Sequence, residues 1–155
     1  MVNKKGLTQK EIEYKIQSYC SYQERCHSEV YEKLKEFKIA EKMINEILSN
    51  LITQNFLNES RFSKLFSKSK FNVKNWGRIR IKNELRKRNI SPHNIKLGLE
   101  EIDEFDYKKK LNKIFERKLS SLVGVKNDVK KQKIFNYLKY RGWENYLIYE
   151  KINEI

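Results

Sequence analysis

Cys20, Cys26 and His27 are the residues of this chain whose types could most readily support metal or nucleophilic chemistry. A zinc site normally needs four Cys or His ligands at short spacing, and the other histidine, His93, lies far away in the sequence. A catalytic Cys–His pair must face one another, whereas adjacent residues on a helix point about 100° apart. We therefore interpret Cys20 and Cys26 as reduced thiols packed in or near a helical core.

Other catalytic patterns are missing from the sequence. It has no glycine-rich phosphate loop, no histidine pair at metal spacing and no Ser/His/Asp set. Almost all of its carboxylates lie in mixed-charge stretches such as YEKLKEF. We predict a protein that is not an enzyme, with no catalytic residue, no cofactor and no bound metal.

Binding chemistry is concentrated in residues 75–91, NWGRIRIKNELRKRNIS, where six basic side chains accompany a single acid, Glu84. Four of the six are arginines in a chain that otherwise prefers lysine. The planar guanidinium group suits phosphate and carboxylate recognition. On a helix, Ile81 and Leu85 share a buried face, and a basic ridge lies opposite them. This pattern favours an anionic partner over the alternative, an ordinary solvated helix face.

We predict that the ridge contacts phosphates rather than reading bases, because phosphate contacts carry no sequence information and no aromatic stacking motif is evident. Trp76 and Trp143 each adjoin a glycine at a helix boundary, so we expect them to pack between helices. The predicted nucleic-acid or filament-binding residues are Arg78, Arg80, Lys82, Arg86, Lys87, Lys131, Lys139 and Arg141.

Composition predicts a folded, all-α protein. The 155 residues include one proline and five glycines, and 39% are hydrophobic. No stretch approaches the roughly 18 to 20 apolar residues that cross a bilayer, and no secretory signal opens the chain, so we expect a soluble, cytoplasmic protein without membrane contact. The net charge is +14, which favours a polyanionic partner.

An internal repeat organises the chain around Leu34, Leu85 and Leu138, which are 51 and 53 residues apart. Apolar residues recur at the same helix-like offsets around each anchor. Each block breaks shortly after its anchor: Ser91 and Pro92 predict a helix start, and Gly142 predicts a helix end.

A further helix is predicted before each block, at residues 9–22, 58–69 and 107–119. The predicted fold is therefore three tandem three-helix repeats in an elongated, curved array, over residues 1–57, 58–105 and 106–155. Their net charges are +1, +6 and +7, so the positive charge lies in the last two repeats. We predict mobile loops at residues 69–75 and 120–128.

The assembled motifs resemble those of the RecX family, the regulators of the RecA recombinase. The resemblance rests on QERCHSEVYEKL, on LNESRFSKLF followed by WGRIRIKNELRKRNIS, and on YLKYRGW followed by LIYEKI. It covers nearly the whole chain, from about residue 13 to residue 155. Two departures are mild: Glu59 stands where the family often has aspartate, and Asn89 where it often has glycine.

The resemblance implies an all-helical regulator built of three-helix repeats, elongated and curved, that lodges as a monomer in the groove of the RecA filament on single-stranded DNA. It implies that the protein blocks filament extension and promotes disassembly, and so lowers ATP hydrolysis, strand exchange and coprotease activity. These activities belong to DNA repair, recombination and the SOS response. Double-stranded DNA is a further candidate ligand, because it offers the same phosphates as a single strand. The alternative function is a free-standing, sequence-nonspecific DNA-binding helical protein.

Overall fold

The computed structural model describes residues 6–155, and over that range it contains helices and no strand. This confirms the predicted all-α class. The helices of this range are α1 (Gln9–Tyr22), α2 (His27–Lys35), α3 (Glu41–Thr53), α4 (Glu59–Lys74), α5 (Arg78–Lys87), α6 (Pro92–Glu100), α7 (Glu104–Ser120), α8 (Asn127–Tyr140) and α9 (Asn145–Ile152).

The helices pack mainly within three consecutive groups, α1–α3, α4–α6 and α7–α9. The three predicted anchors, Leu34, Leu85 and Leu138, are each fully buried. Tandem three-helix repeats are thus the architecture of the chain. The boundaries proposed at 57/58 and 105/106 stay predictions; α7 begins at Glu104, so the second of them falls within its first turn.

Each anchor is followed, four residues later, by a residue in the left-handed backbone region. These residues are Lys38 (φ 56°), Asn89 (φ 59°) and Gly142 (φ 88°). A left-handed residue ends a helix and satisfies its last carbonyl groups. The same turn therefore separates the second and third helices of every repeat, and Asn89 adopts the conformation that glycine would adopt.

The start of α6 is capped as predicted. The Ser91 hydroxyl accepts a hydrogen bond from the backbone N–H of Asn94, and Pro92 occupies the first helical turn. Proline fits there because its missing N–H would have no partner within the helix.

The predicted mobile loop at residues 69–75 is wrong, because α4 continues to Lys74. Phe71 is buried on this last stretch of α4 and packs against Tyr107 at a ring distance of 5.9 Å, so tertiary packing extends the helix. Asn75, with φ 59°, ends it. The second predicted loop lies where the structure has its turn, between the end of α7 and the start of α8.

The buried side chains form two hydrophobic cores. One lies within the first repeat, from Ile12 to Leu57, and the other runs through the second and third repeats. Cys26, at the start of α2, belongs to the second core and so joins the first repeat to the next. The second and third repeats therefore share one apolar interior.

Both cysteines are buried free thiols, which confirms the interpretation made from the sequence. Burial raises the pKa of Cys20 to about 11 and also raises the pKa of Cys26. Within residues 6–155 no cluster of His, Cys, Asp and Glu is arranged to hold a metal ion. In the same range no helix combines the length and apolarity needed to cross a membrane.

Candidate nucleic-acid interface

The basic helix α5 is held against the end of α8 by backbone contacts. Gly77, which precedes α5, donates its N–H to the Arg141 carbonyl at 2.8 Å, and Ile79 donates to the Gly142 carbonyl at 3.0 Å. Ile81 and Leu85 are fully buried beneath α5. These contacts orient the charged sides of α5 relative to the third repeat.

Arg78 lies in the joint between the second and third repeats. Its guanidinium pairs with Glu104 and, at 3.3 Å, with Glu144, and it stacks over the Tyr107 ring at 3.8 Å. Desolvation lowers the pKa of Arg78, but the hydrogen bond that Arg78 donates to Glu104 and the surrounding negative charges outweigh it and raise the pKa overall. Arg78 is therefore neutralised by carboxylates, which distinguishes it from the exposed cations of α5.

Tyr107 completes this joint. Its hydroxyl donates to Glu144 and accepts a hydrogen bond at 2.9 Å from the backbone N–H of Arg78. Burial raises the pKa of Tyr107, and the hydrogen bond to Glu144 raises it further. Trp143 stacks on Tyr107 at 4.4 Å, is fully buried and donates its indole N–H to the Asn75 carbonyl. The prediction that Trp143 packs between helices is confirmed.

Lys82 and Arg86 lie on the side of α5 that faces α6. With Lys96 of α6 they line a groove of about 530 Å³ whose apolar walls include Pro92 and Leu99. All three cations are exposed, and none pairs with a carboxylate among the described residues, although Glu100 also lines the groove. This groove is therefore a basic surface of the second repeat whose three exposed cations have no ion-pair partner among the described residues.

Lys87, the last residue of α5, and Arg88, which follows it, share the carboxylate of Glu84. The distances from Glu84 are 3.2 Å to Lys87 and 3.1 Å to Arg88. Desolvation raises the pKa of Glu84, but the hydrogen bonds from the two cations lower it overall. Lys87 remains exposed, whereas Arg88 also approaches Glu29 of the first repeat at 3.7 Å.

Arg80 is half-buried between two aromatic rings. Its guanidinium carbon lies 4.4 Å from the centroid of Trp76 and 4.7 Å from that of Tyr140, and one of its nitrogens donates to the Tyr140 carbonyl at 3.3 Å. In the part of the chain that the structure describes, no carboxylate pairs with Arg80. Its positive charge is therefore stabilised by the negative faces of two rings and is not cancelled by a carboxylate.

These contacts extend into an alternating series that we call the cation–aromatic row. Arg88 and Lys70 lie over the Phe66 ring at 4.9 and 5.4 Å, and Lys70 also lies over Trp76 at 5.1 Å. In order, the row comprises Arg88, Phe66, Lys70, Trp76, Arg80 and Tyr140. Its residues come from α4, α5, α8 and the two segments that flank α5, so no single stretch of sequence displays it. Sequence reasoning had missed Phe66, Lys70 and Tyr140 for this reason.

The predicted cations of the third repeat are dispersed. Arg141 stacks over Tyr137 at 3.7 Å, close to the backbone joint with Gly77. Lys139 instead donates to Asn145 of α9 at 2.8 Å, and Lys131 is half-buried on α8. The structure thus places Arg141 at the joint between α5 and the end of α8, and it places Lys139 beside α9.

The fold and this surface define a class: an all-helical repeat protein with an exposed basic surface on its second repeat. Comparisons with known proteins agree. Residues 58–99 match the family model of the RecX second three-helix domain. The "Regulatory protein RecX" of Finegoldia magna is 28% identical over 130 residues, which cover 81% of this chain and 62% of that protein. The protein of the same name from Clostridium tetani is 34% identical over 110 residues, which cover 71% of this chain and 49% of that protein.

Solved structures show the same architecture. A crystal structure of regulatory protein RecX has a TM-score of 0.83 and 22% identity, and covers 95% of this chain and 72% of that one. The crystal structure of RecX from Lactobacillus salivarius has a TM-score of 0.81 and 24% identity, and it covers 94% of this chain and 96% of that one. The chain belongs to the RecX family. It spans between about half and about three-fifths of the length of the first curated relatives it matches.

Proposed function

We propose that this protein is a negative regulator of the RecA recombinase that binds the RecA filament formed on single-stranded DNA. The observation that carries the proposal is the groove of Lys82, Arg86 and Lys96, three exposed cations without carboxylate partners on the repeat that matches the RecX family model. A filament offers protein surface and nucleic-acid phosphate together, which suits a repeat protein whose charge is unevenly distributed.

The proposed mechanism follows from that distribution. The nearly neutral first repeat contacts RecA protein, and the basic second and third repeats contact DNA phosphates. The bound array occupies the filament groove, blocks extension and promotes disassembly. ATP hydrolysis, strand exchange and coprotease activity fall because each depends on the filament. The regulator itself needs no catalytic residue or cofactor in this account.

The second candidate function is a free-standing DNA-binding protein, which the net charge of +14 favours. Such a protein would bind naked DNA tightly, and its affinity would fall steeply with salt in proportion to the number of phosphates neutralised. It would affect RecA only by competing for DNA.

Charge reversal in the groove tests the DNA contact. The test variant is Lys82→Glu/Arg86→Glu/Lys96→Glu, and the control is Lys10→Glu/Lys15→Glu/Lys42→Glu, which changes three exposed cations of the first repeat by the same charge. Fluorescence anisotropy with labelled single-stranded DNA measures affinity, and circular dichroism verifies folding. We expect the groove variant to lose DNA affinity and filament inhibition, while the control keeps its DNA affinity. Equal DNA affinities for the two variants would remove the groove from the proposed interface.

A further inference from the structure

Tyr140 is an exposed aromatic residue held in a fixed position. It is the last residue of α8, and its relative exposure is 72%. The guanidinium of Arg80 lies over its ring at 4.7 Å and also binds its backbone carbonyl. The Tyr140 ring is held in place by Arg80, but most of its surface is not buried in the core. That exposed surface is available to a ligand.

Tyr22 is an exposed tyrosine without this arrangement. Tyr22, at the end of α1, is 84% exposed, and no guanidinium is found over its ring in the described part of the chain. Tyr140 instead ends the cation–aromatic row, in which Arg80 separates its ring from Trp76. A further planar group on Tyr140 would continue the alternation of the row.

We propose that Tyr140 stacks on a nucleobase of single-stranded DNA and that the cation–aromatic row is its support. Proteins that bind single strands combine cations along the phosphate backbone with aromatic rings on which bases stack. Lys70 and Arg80 supply nearby positive charge, and Tyr140 supplies the ring. Bases of a duplex are stacked on one another and paired, so they cannot reach this ring. The structure therefore assigns to the protein a preference for single strands that does not depend on base identity.

This inference rests on the nucleic-acid part of the proposed function and adds a base contact to the phosphate contacts. It is also independent of RecA, since it concerns naked DNA. A protein that stacks on bases but does not inhibit RecA would support the inference and contradict the proposed function. A protein that inhibits RecA but binds DNA with and without bases equally well would support the proposed function and contradict the inference.

The test crosses protein variants with DNA that has or lacks bases. The probes are a labelled oligothymidylate of about 15 nucleotides, an abasic oligomer of the same length and charge, and a duplex. The variants are Tyr140→Ala, Tyr140→Phe and the control Tyr22→Ala. Fluorescence anisotropy at low salt measures each affinity, and circular dichroism verifies each fold.

We expect Tyr140→Ala to weaken binding to oligothymidylate by roughly 5- to 150-fold, the range that base stacking on an aromatic ring produces. The same variant should bind the abasic oligomer as the wild type does, and Tyr140→Phe should keep its affinity because the stacking face is retained. Tyr22→Ala should leave affinity for both oligomers unchanged. An equal loss on both oligomers would mean that Tyr140 acts by positioning Arg80, and this would overturn the inference. Unchanged affinity of Tyr140→Ala for oligothymidylate would overturn it as well.

Discussion

Gly77 and Gly142 approach each other so closely that a Cβ atom on Gly77 would lie 2.6 Å from the carbonyl carbon of Gly142. This contact joins the start of α5 to the end of α8, and with it the second repeat to the third. A Cβ atom on Gly142 would in turn lie 2.8 Å from the Cα atom of Arg80. The orientation of the basic helix therefore depends on two residues without side chains.

We expect Gly142→Ala to lower the free energy of unfolding by about 2 to 4 kcal/mol, because it adds a clash with Arg80 to the cost of a left-handed backbone. Urea denaturation measures the change. Gly124→Ala is the matched control, since Gly124 has a similar φ of 83° and no atom within 4 Å of an added Cβ. The control should lose only about 1 to 2 kcal/mol. Equal losses in the two variants would show that the close approach contributes nothing.

Leu85→Ala should lower the free energy of unfolding by about 2 to 5 kcal/mol, because Leu85 is fully buried and truncation leaves a cavity. Thermal and urea unfolding measure the loss. Leu65→Ala, at a position that is 53% exposed on α4, should cost far less. A midpoint for Leu85→Ala close to that of the wild type would contradict the assignment of Leu85 as a repeat anchor.

Tyr107→Phe should lower the free energy of unfolding by about 1 to 3 kcal/mol near neutral pH, because Glu144 and the Arg78 N–H both lose a buried partner. The pKa of Tyr107 is raised in the folded protein. Its contribution is therefore fully present below the unfolded pKa of about 10 and is lost progressively as the pH rises above it.

Urea titrations of the wild type and of Tyr107→Phe at increasing pH measure this dependence. The difference in stability between the two proteins should be constant up to about pH 9 and should shrink above about pH 10. A difference that stays constant across the alkaline range would show that the Tyr107 hydroxyl is not sequestered in the joint.

Much of the fold could be predicted from the sequence because helical periodicity is a local property. The anchor Leu85 and the buried Ile81 are four residues apart, and their burial follows from that spacing alone. The continuation of α4 past residue 69 could not be read in this way. It depends on Phe71 meeting Tyr107, a residue of another repeat.

The sequence showed which basic residues α5 carries, but it did not show which of them are paired, stacked or free in the fold. Lys82 and Arg86 are exposed as their helical positions predict. The positions of Arg78 and Arg80 depend on partners that lie far away in the sequence, Glu144 and Tyr140. A helical projection treats all arginines of α5 alike, whereas tertiary contacts neutralise Arg78 and place Arg80 between aromatic rings.

The most direct test of RecA regulation is the rate of ATP hydrolysis by the cognate RecA on single-stranded DNA while this protein is titrated in. Binding to naked DNA is measured in parallel at the same salt concentration, because phosphate contacts depend strongly on salt. We predict inhibition well below the RecA concentration, at amounts of protein too small to coat the DNA. Inhibition that begins only when the DNA is saturated would contradict it and would favour simple competition for DNA.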